Sequence, residues 1–301
     1  YGIPREMLPR IVPTFSEQGR LTAHAAGELG LPQGAPITYR AGDQPNNALS
    51  LNVLNPGEVA ATAGTSGVVC GIGDRAAYDA QSRVNTFLHV NHAAGRPRYA
   101  TLLCVNGAGI LLSWLRRNVM SADGHMASYD EMNALASKTA VGADGLVVLP
   151  YGNGAERSLG NRNAAGSVHG LEFNRHARAH VLRAAQGGVA FALNYGIEIM
   201  EALGVRCEKV RAGNANMFLS PLFGEAFATT TGAQVELYRT DGSQGAARGA
   251  GMGAGIYRTA REAFAGLAPE RSVTPNEGLR QAYRDAYGRW REALLRQLGE
   301  S

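Results

Sequence analysis

Short runs of apolar residues, bounded by glycine, proline and other turn formers, predict strands along most of the chain. Runs rich in Val, Ala, Thr and Leu occupy residues 35–40, 58–63, 68–71, 84–106, 145–151, 209–212 and 235–238. Runs of this length and composition favour extended structure. The run at 84–106 is long enough for a pair of strands, and 58–63 with 68–71 predicts a hairpin.

Apolar residues at spacings of three and four predict the helices that separate these strands. The longest helix is expected from about His176 to Leu203 and ends at Gly204. Shorter helices are predicted at 44–54, 109–118, 128–137, 218–227, 241–255 and 274–298. Because helices alternate with strands throughout, the predicted class is α/β.

Particular residues in three of these helices give more specific expectations. In the helix at 109–118, Trp114 and Leu115 are expected to face inward. The helix at 241–255 is rich in glycine, which lowers its helix propensity but lets another backbone approach closely. At the start of the last helix, Thr274–Pro275 predicts a cap followed by proline at the first helical position.

Length and composition are those of a globular chain. The 301 residues suggest about two domains, and 45% of the residues are hydrophobic while 18% are charged. The net charge of +4 comes from 29 basic and 25 acidic residues, spread without long runs of one sign. This charge pattern gives no reason to expect nucleic acid as a partner.

Several common catalytic and metal-binding motifs have no candidate here. Lys138 and Lys209 are the lysines of the sequence and neither follows a glycine, so the Gly-Lys-Ser/Thr of a Walker phosphate loop is absent. No Gly-x-Ser-x-Gly occurs, which excludes the usual nucleophile turn of α/β-hydrolases. His176 and His180 are four residues apart without the Glu of a zinc motif, so we expect a solvated helix start and no metal site.

The cysteines and the uncharged segments indicate a setting for the protein. Cys70, Cys104 and Cys207 contain no Cys-x-x-Cys pair and predict free thiols in a reducing compartment, which favours the cytoplasm. The longest uncharged run, residues 99–115, is too short and polar to span a bilayer, so no membrane segment is expected. Since the chain begins with Tyr1 and not Met, we expect it to be a fragment.

Three turns that follow predicted strands could form a ligand site, although each also has an ordinary interpretation. Asp43 lies where a strand meets a helix, a position at which α/β proteins bind ligands but also one for a helix cap. Residues 64–67 could present hydroxyls and amides to a phosphate or form a plain hairpin turn. Residues 213–216 could bind an anion at a helix start or simply connect two elements. The polar loop 152–157 also follows a buried strand.

Taken together, five segments of the chain resemble the C-terminal part of the FGGY family of carbohydrate kinases, and their order and spacing are most similar to its xylulokinases. These segments are AGDQPNNA at 41–48, ATAGTSGVV at 61–69, VLPYGNGAER at 148–157, RAGNANMFLSPLF at 211–223 and TDGSQGAARGAGMGAG at 240–255. The resemblance covers essentially the whole chain but only about the last three fifths of a full-length family member.

The resemblance implies a ribonuclease-H-like, actin-like ATPase lobe preceded by the tail end of a sugar-binding lobe. Residues 1–55 would be the end of the sugar-binding lobe, including the catalytic Asp, and residues 56–301 the nucleotide-binding lobe. ATP and a sugar would bind between the two lobes, with Mg²⁺ on the phosphates. The implied reaction is phosphorylation of a ketopentose, D-xylulose above all, and the implied assembly is a homodimer.

The same resemblance implies roles for individual residues. Asp43 matches the family's catalytic Asp, a general base that takes the proton of the attacking sugar hydroxyl. Gln44 stands where glycerol kinases have a substrate-contacting Gln and many xylulokinases have Asn, which leaves the sugar open. The nucleotide would contact residues of a hairpin turn, a helix and a loop, namely Gly64, Thr65, Ser66, Gly109, Ser113, Gly213 and Asn216.

Some family features are missing from the sequence. Relatives often have Gly-Gly-Gly-Ala where this chain has Arg-Ala-Gly-Asn-Ala at 211–215. The family's first phosphate motif, Asp-x-Gly-Thr, is absent, so we expect the isolated chain to bind nucleotide poorly and to phosphorylate little or nothing. Other kinases of the family, acting on glycerol, ribulose or gluconate, and a noncatalytic nucleotide-binding lobe therefore remain alternatives.

Overall fold

A computed structural model describes residues 2–122 and 124–300 of the chain. The strands, in chain order, are β1 (Phe15–Arg20), β2 (Pro36–Tyr39), β3 (Glu58–Ala63), β4 (Gly67–Gly73), β5 (Asn85–Leu88), β6 (Tyr99–Val105), β7 (Ser121–Ala122), β8 (His125–Met126), β9 (Val147–Tyr151), β10 (Ala165–His169), β11 (Lys209–Gly213), β12 (Gln234–Tyr238) and β13 (Pro269–Val273). The α-helices are α1 (Ala23–Leu29), α2 (Asp43–Ser50), α3 (Gly109–Asn118), α4 (Tyr129–Ala136), α5 (Arg178–Ala202), α6 (Pro221–Thr231), α7 (Gly242–Gly253), α8 (Ala260–Ala263) and α9 (Arg280–Leu298).

A seven-stranded mixed sheet in the order β13-β12-β11-β3-β4-β6-β5 forms the centre of the fold. Its strands β3, β11 and β12 are parallel to one another. The pairs β3–β4, β4–β6 and β6–β5 are antiparallel, and β13 pairs antiparallel with β12 at the other edge. The predicted α/β class is confirmed, and so is the hairpin of β3 and β4.

Both faces of this sheet are covered, as the period of two along each strand requires. In β3, Val59 and Ala61 belong to the main core, whereas Ala60 belongs to a second cluster on the opposite face. The main core is built around α5, which lies against β4, β6 and β9 and is flanked by α4 and α6. The long continuous helix predicted from apolar spacing therefore forms the centre of the larger core.

Helices α2 and α7 lie together on the opposite face, and the glycines of α7 allow their close approach. A methyl group added at Gly245 would lie 2.8 Å from the carbonyl oxygen of Asn46. One added at Gly253 would lie 1.8 Å from the carbonyl oxygen of Thr38 in β2. The expectation that small residues in this helix permit close backbone packing is confirmed.

Side-chain hydrogen bonds stabilise the contact of α7 with α2 and β2. The Thr38 hydroxyl donates to the carbonyl oxygen of Ala250 at 2.7 Å, and the Asn46 amide donates to that of Gly242 at 2.8 Å. The N-terminal part of the chain is thus fixed directly to α7. A boundary between two domains at residue 55 stays a prediction.

Three expectations from the sequence differ from the structure. Trp114 is 51% exposed, because the buried positions of α3 are Leu112 and Leu115 and Trp114 lies on the other side of the helix. Thr274–Pro275 does not cap the last helix, since the chain first makes a 3₁₀ turn at Glu277–Leu279 after leaving β13. The elements that were not predicted from the sequence are β1, α1, β7, β8, β10, α8 and β13.

The aromatic residues of α9 pack within their own chain. Trp290 is 1% exposed and donates from its ring nitrogen to the carbonyl oxygen of Val148 at 3.2 Å. The Tyr283 hydroxyl is buried and donates to a carboxylate oxygen of Glu225 at 2.9 Å. These side chains therefore stabilise the protein's own core, and the homodimer stays a prediction.

None of the helices within residues 2–122 and 124–300 is both long enough and apolar enough to cross a bilayer. Cys70 is buried, Cys104 and Cys207 are partly exposed, and all three are free thiols. Burial raises the pKa of the Cys70 thiol to about 12. This thiol is therefore protonated and unreactive near neutral pH.

Because α7 packs closely against β2, a substitution of a glycine in α7 should destabilise the protein, whereas a substitution of an exposed glycine in α9 should stabilise it. Gly253→Ala should lower the free energy of unfolding by about 1–3 kcal/mol, because its methyl group has no room against the backbone of β2. Gly288→Ala on the exposed side of α9 meets no atom within 4 Å and should raise that free energy by about 0.5–1 kcal/mol. Urea unfolding of both variants measures the difference, and equal effects would contradict the packing described.

Candidate functional site

The carboxyl ends of β3, β11 and β12 converge on one edge of the central sheet, because these strands are parallel and in register. Strand β3 runs into the turn at 64–66, β11 into the loop at 213–216, and β12 into the loop that ends at Asp241. Ligands of α/β proteins bind outside such carboxyl ends. This edge therefore brings together two of the turns singled out in the sequence.

The turn between β3 and β4 is joined to the start of α3 by backbone hydrogen bonds. The amide of Gly109 donates to the carbonyl oxygen of Gly64 at 2.8 Å, and the amide of Ile110 donates to that of Thr65 at 3.1 Å. A methyl group at Gly109 would lie 2.3 Å from the Gly64 oxygen. Glycine is required here because the helix starts directly against the turn.

The loop after β11 reaches the same turn. The Asn216 side chain lies over Gly64, with its amide nitrogen 3.6 Å from the position of a methyl group there. Asn216 has a φ of +54°, a left-handed conformation that Asn adopts more readily than most residues. On its other side the loop is tied to β12, since the amide of Asn214 donates to the carbonyl oxygen of Tyr238 at 2.8 Å.

The remaining predicted nucleotide residues lie on the elements around this contact. Thr65 is exposed and Ser66 half-buried, with Ser66 lying beside the Cys104 thiol at the end of β6. Ser113 is half-buried on α3 and four residues after Gly109, so the two lie on the same helix face. The turn at 64–66, the first turns of α3 and the loop at 213–216 thus adjoin one another in one continuous surface.

Asp43 and Gln44 form the first turn of α2 at the same edge of the molecule. The Asp43 side chain is exposed, and its carboxylate accepts the amide of Gln44 at 2.7 Å. The start of α2 adjoins the start of α7 through the hydrogen bond between Asn46 and Gly242, and α7 follows directly from β12. An exposed carboxylate at a helix N-terminus is favoured by the helix dipole.

The N-terminus of α7 is set by Asp241. Its carboxylate accepts the amide of Gln244 at 3.0 Å and the hydroxyl of Ser243 at 2.6 Å. The hydrogen bond from Ser243, followed by that from Gln244, holds the pKa of Asp241 below its usual range. This charged cap faces the edge at which β12 ends.

Two residues next to this surface were not identified as functional from the sequence. Asn106 directly follows β6, and the buried carboxylate of Glu156 accepts a hydrogen bond from its backbone amide at 2.9 Å. Burial raises the pKa of Glu156 to about 7, although hydrogen bonds from the amides of Asn106 and Gly107 act in the opposite direction. The sequence signals for Glu156 were its place in a polar loop after a buried strand and in the family-like segment at 148–157.

No cluster of three or more His, Cys, Asp or Glu side chains that could hold a metal occurs in the part of the chain that the structure describes. Mg²⁺ usually binds through one or two carboxylates, water and substrate phosphates. The exposed Asp43 carboxylate and the hydroxyls of Thr65 and Ser66 are oxygen groups of this kind. These residues are compatible with a Mg²⁺ ion that enters bound to a phosphorylated substrate.

The known proteins to which this chain is similar are carbohydrate kinases. A family profile described as the C-terminal domain of the FGGY family of carbohydrate kinases matches residues 59–257. A gluconokinase from Bacillus licheniformis is 32% identical over 200 residues, which are 64% of this chain and 37% of that protein. A xylulose kinase from Staphylococcus epidermidis is 26% identical over 303 residues, which are 97% of this chain and 57% of that protein.

The solved structure of xylulose kinase from Rhodospirillum rubrum matches with a TM-score of 0.85 and 28% identity, covering 99% of this chain and 58% of that one. This likeness confirms the expected actin-like ATPase fold. The chain spans between 37% and 58% of the length of these three relatives.

The contact between Gly109 and the turn at Gly64 yields a prediction about stability. Gly109→Ala should lower the free energy of unfolding by about 1–3 kcal/mol, because its methyl group would displace α3 from the turn. Hydrogen exchange of the Gly109 and Ile110 amides should become faster for the same reason. As a control, Gly95→Ala meets no atom within 4 Å and should change stability by less than about 0.5 kcal/mol. Unchanged exchange in Gly109→Ala would show that the turn and the helix are not coupled.

Proposed function

We infer the function from one premise, which is that the chain belongs to the FGGY family of carbohydrate kinases. This family membership implies ATP-dependent transfer of phosphate to a sugar or polyol. We propose that the protein containing this chain transfers the γ-phosphate of ATP to a hydroxyl group of a ketopentose, D-xylulose, and forms D-xylulose 5-phosphate. The xylulose kinase match over 97% of the chain, which includes Asp43 and Gln44, is the observation that carries the proposal.

In this proposal Asp43 is the general base. Its carboxylate takes the proton of the sugar hydroxyl while the hydroxyl oxygen attacks the γ-phosphorus and ADP leaves. The exposure of Asp43 and its position at the start of α2 support this role, because the carboxylate can reach a substrate at the edge of the sheet. Gln44, half-buried in the same turn, is proposed to contact the sugar.

The nucleotide is proposed to bind along the continuous surface described above. Gly64, Thr65 and Ser66 would face the phosphates, and Gly109 with Ser113 would line the nucleotide along α3. Gly213 and Asn216 would lie at the adenosine, where the absence of a side chain at Gly213 leaves room for a flat base. Mg²⁺ bound with ATP would neutralise phosphate charge as the transfer proceeds.

A second candidate substrate is gluconate. The gluconokinase relative is the more similar in identity, at 32% against 26%, but its match covers only 64% of the chain. The glutamine at position 44, in place of the Asn of many xylulokinases, also leaves room for a different polyol. The ketopentose is preferred because the xylulose kinase match covers 97% of the chain, against 64% for the gluconokinase match.

The activity is proposed for the whole protein, because the chain covers only part of the length of its relatives. The proposal for the isolated chain is weak nucleotide binding and little or no turnover. The free thiols of Cys70, Cys104 and Cys207 support a cytoplasmic setting for the reaction.

A substrate panel tests the proposal directly. The parent protein is assayed with Mg-ATP and D-xylulose, D-ribulose, gluconate or glycerol, and ADP formation is followed. We expect kcat/KM for D-xylulose to exceed each of the others by at least about tenfold, because discrimination depends on transition-state contacts to several hydroxyls. A higher kcat/KM for gluconate would transfer the proposal to the second candidate, and no ADP formation with any sugar would favour the noncatalytic lobe.

The role of Asp43 is tested in the same assay. Asp43→Asn in the parent protein should lower kcat by about 10²–10⁴-fold, since the amide cannot accept the hydroxyl proton. Its ADP affinity should stay unchanged, because the base acts on chemistry and not on nucleotide binding. Asp74→Asn is the matched control. Asp74 is also exposed, but it follows the end of β4 that lies away from the turn at 64–66. Full turnover in Asp43→Asn would exclude Asp43 as the base.

A further inference from the structure

Glu156 is a fully buried residue whose side chain can carry a negative charge. It lies in the loop between β9 and β10 and has 0% of its surface exposed. Within residues 2–122 and 124–300, no Lys, Arg or His forms an ion pair with it, and the adjacent Arg157 instead donates to Asn85 and Ser82. Burying an unpaired charge is unfavourable unless hydrogen bonds satisfy it.

The partners of this carboxylate are backbone amides of the turn between β6 and α3. The amide of Asn106 donates to this carboxylate and lies 2.9 Å from Oε1 and 3.2 Å from Oε2, while the neighbouring Gly107 amide acts to lower the pKa of the carboxyl group. Hydrogen bonds to an ionised acceptor are about twice as strong as those between neutral groups. Glu156 therefore fixes the Asn106 amide, at which this turn begins.

The rest of the same loop also binds Asn106. The Asn106 side-chain amide donates to the carbonyl oxygen of Ala155 at 2.9 Å, and that of Asn153 donates to the Asn106 carbonyl oxygen at 3.1 Å. The Asn106 side chain in turn accepts from the Cys104 thiol, beside which Ser66 lies. A chain of polar contacts thus runs from Glu156 to the turn after β3.

The turn held by Glu156 has no freedom to shift on its other sides. A methyl group at Gly107 would lie 1.4 Å from the carbonyl oxygen of Pro150, so its backbone is pressed against the end of β9. Two residues later, the Gly109 amide donates to Gly64. The position of α3 relative to the proposed phosphate turn therefore depends on peptide units that Glu156 holds.

We propose that Glu156 is a positioning residue for the nucleotide, whose ionised carboxylate holds the Asn106–Gly107 turn and thereby sets α3 and Gly109 against the turn at Gly64. It does not contact the nucleotide itself. This inference rests on the proposed function, since it assumes that a nucleoside diphosphate with its metal ion binds at Gly64, Thr65 and Gly109.

The ionisation of Glu156 gives the inference a pH dependence. Burial raises its pKa from 4.5 to about 7. The titratable groups that face it are the thiol of Cys104 and the hydroxyl of Tyr151, and burial raises the pKa of both. Both are thus uncharged near neutral pH, and between about pH 6 and 8 the charge of Glu156 is the one that changes.

Stability and binding should respond to this ionisation in opposite directions. Because the folded-state pKa is raised, the contribution of Glu156 to stability is present below about pH 4.5 and is lost as the pH rises through about 7. Nucleotide affinity should instead rise over the upper part of that range, since the ionised form holds the turn. If Glu156 contributed only to stability, a rise in pH would not change stability and nucleotide affinity in opposite directions.

The test compares the 301-residue chain with its Glu156→Gln variant by calorimetric titration with Mg-ADP at about pH 6 and pH 8. Wild-type binding is expected in the range of roughly 10–1000 μM. At pH 8 the variant should bind about tenfold more weakly, whereas at pH 6 the two should differ by less than about twofold. Ionisation of ADP affects both proteins equally, so the difference between them reports on Glu156.

Two controls separate positioning from general damage to the fold. Glu172→Gln, an exposed Glu in the segment after β10, should bind Mg-ADP as the wild type does. Hydrogen exchange of the Asn106 and Gly107 amides should become faster in Glu156→Gln, while the stability of this variant relative to wild type should rise between pH 5 and 8. Glu156→Asp, which keeps the charge, should retain the pH dependence of binding.

The possible outcomes distinguish this inference from the proposed function. Equal affinity of wild type and Glu156→Gln at pH 8, with clear binding in both, overturns the positioning role and leaves the nucleotide surface intact. The same pH dependence in both proteins also overturns it. Absence of Mg-ADP binding to the wild-type chain at millimolar concentration overturns the nucleotide surface of this chain, and the positioning role with it.

Discussion

The parallel pairing of β3, β11 and β12 is the constraint on which the candidate site depends. Because these strands share direction and register, each delivers its following turn to the same edge of the sheet. The turn at Gly64, the loop at Asn216 and the start of α7 are far apart in sequence and adjacent in space for this reason alone. A register shift of one residue in β11 would move its side chains to the other face and remove the loop from the turn.

The second requirement is that Asp43 be held at that edge, and this depends on α7. The glycines of α7 bring its backbone against α2 and β2, and hydrogen bonds from Thr38 and Asn46 fix the contact. Asp43, the proposed base, is therefore positioned by α7, the helix that follows β12 at the proposed nucleotide surface. The segment before residue 55 and the segment after it therefore pack against each other, whether or not they are separate domains.

The sequence predicts the parts of this arrangement that have local causes. The period of α5, the strand runs and the glycine-rich helix follow from spacing and residue type, and the five motifs located the turns. Other features depend on tertiary contacts. The bond between Glu156 and Asn106 joins residues 50 positions apart, so no local pattern reveals it. The exposure of Trp114 is decided by which face of α3 meets the core, and β13 is defined by its pairing with β12.

The composition also explains why backbone positioning matters so much in this site. A phosphate group is usually met by a lysine in a Walker loop, but Lys209 lies at the start of β11, away from the edge, and pairs with Glu236 at 3.0 Å. Lys138 follows α4 and belongs to no phosphate motif. In the proposed site, phosphate charge is therefore met by the metal ion, by hydroxyls and by oriented peptide groups. Peptide groups act at short range and in fixed directions, so their contribution depends on how firmly the turns are held. A buried carboxylate that binds the turn before α3, unfavourable in itself, provides that rigidity.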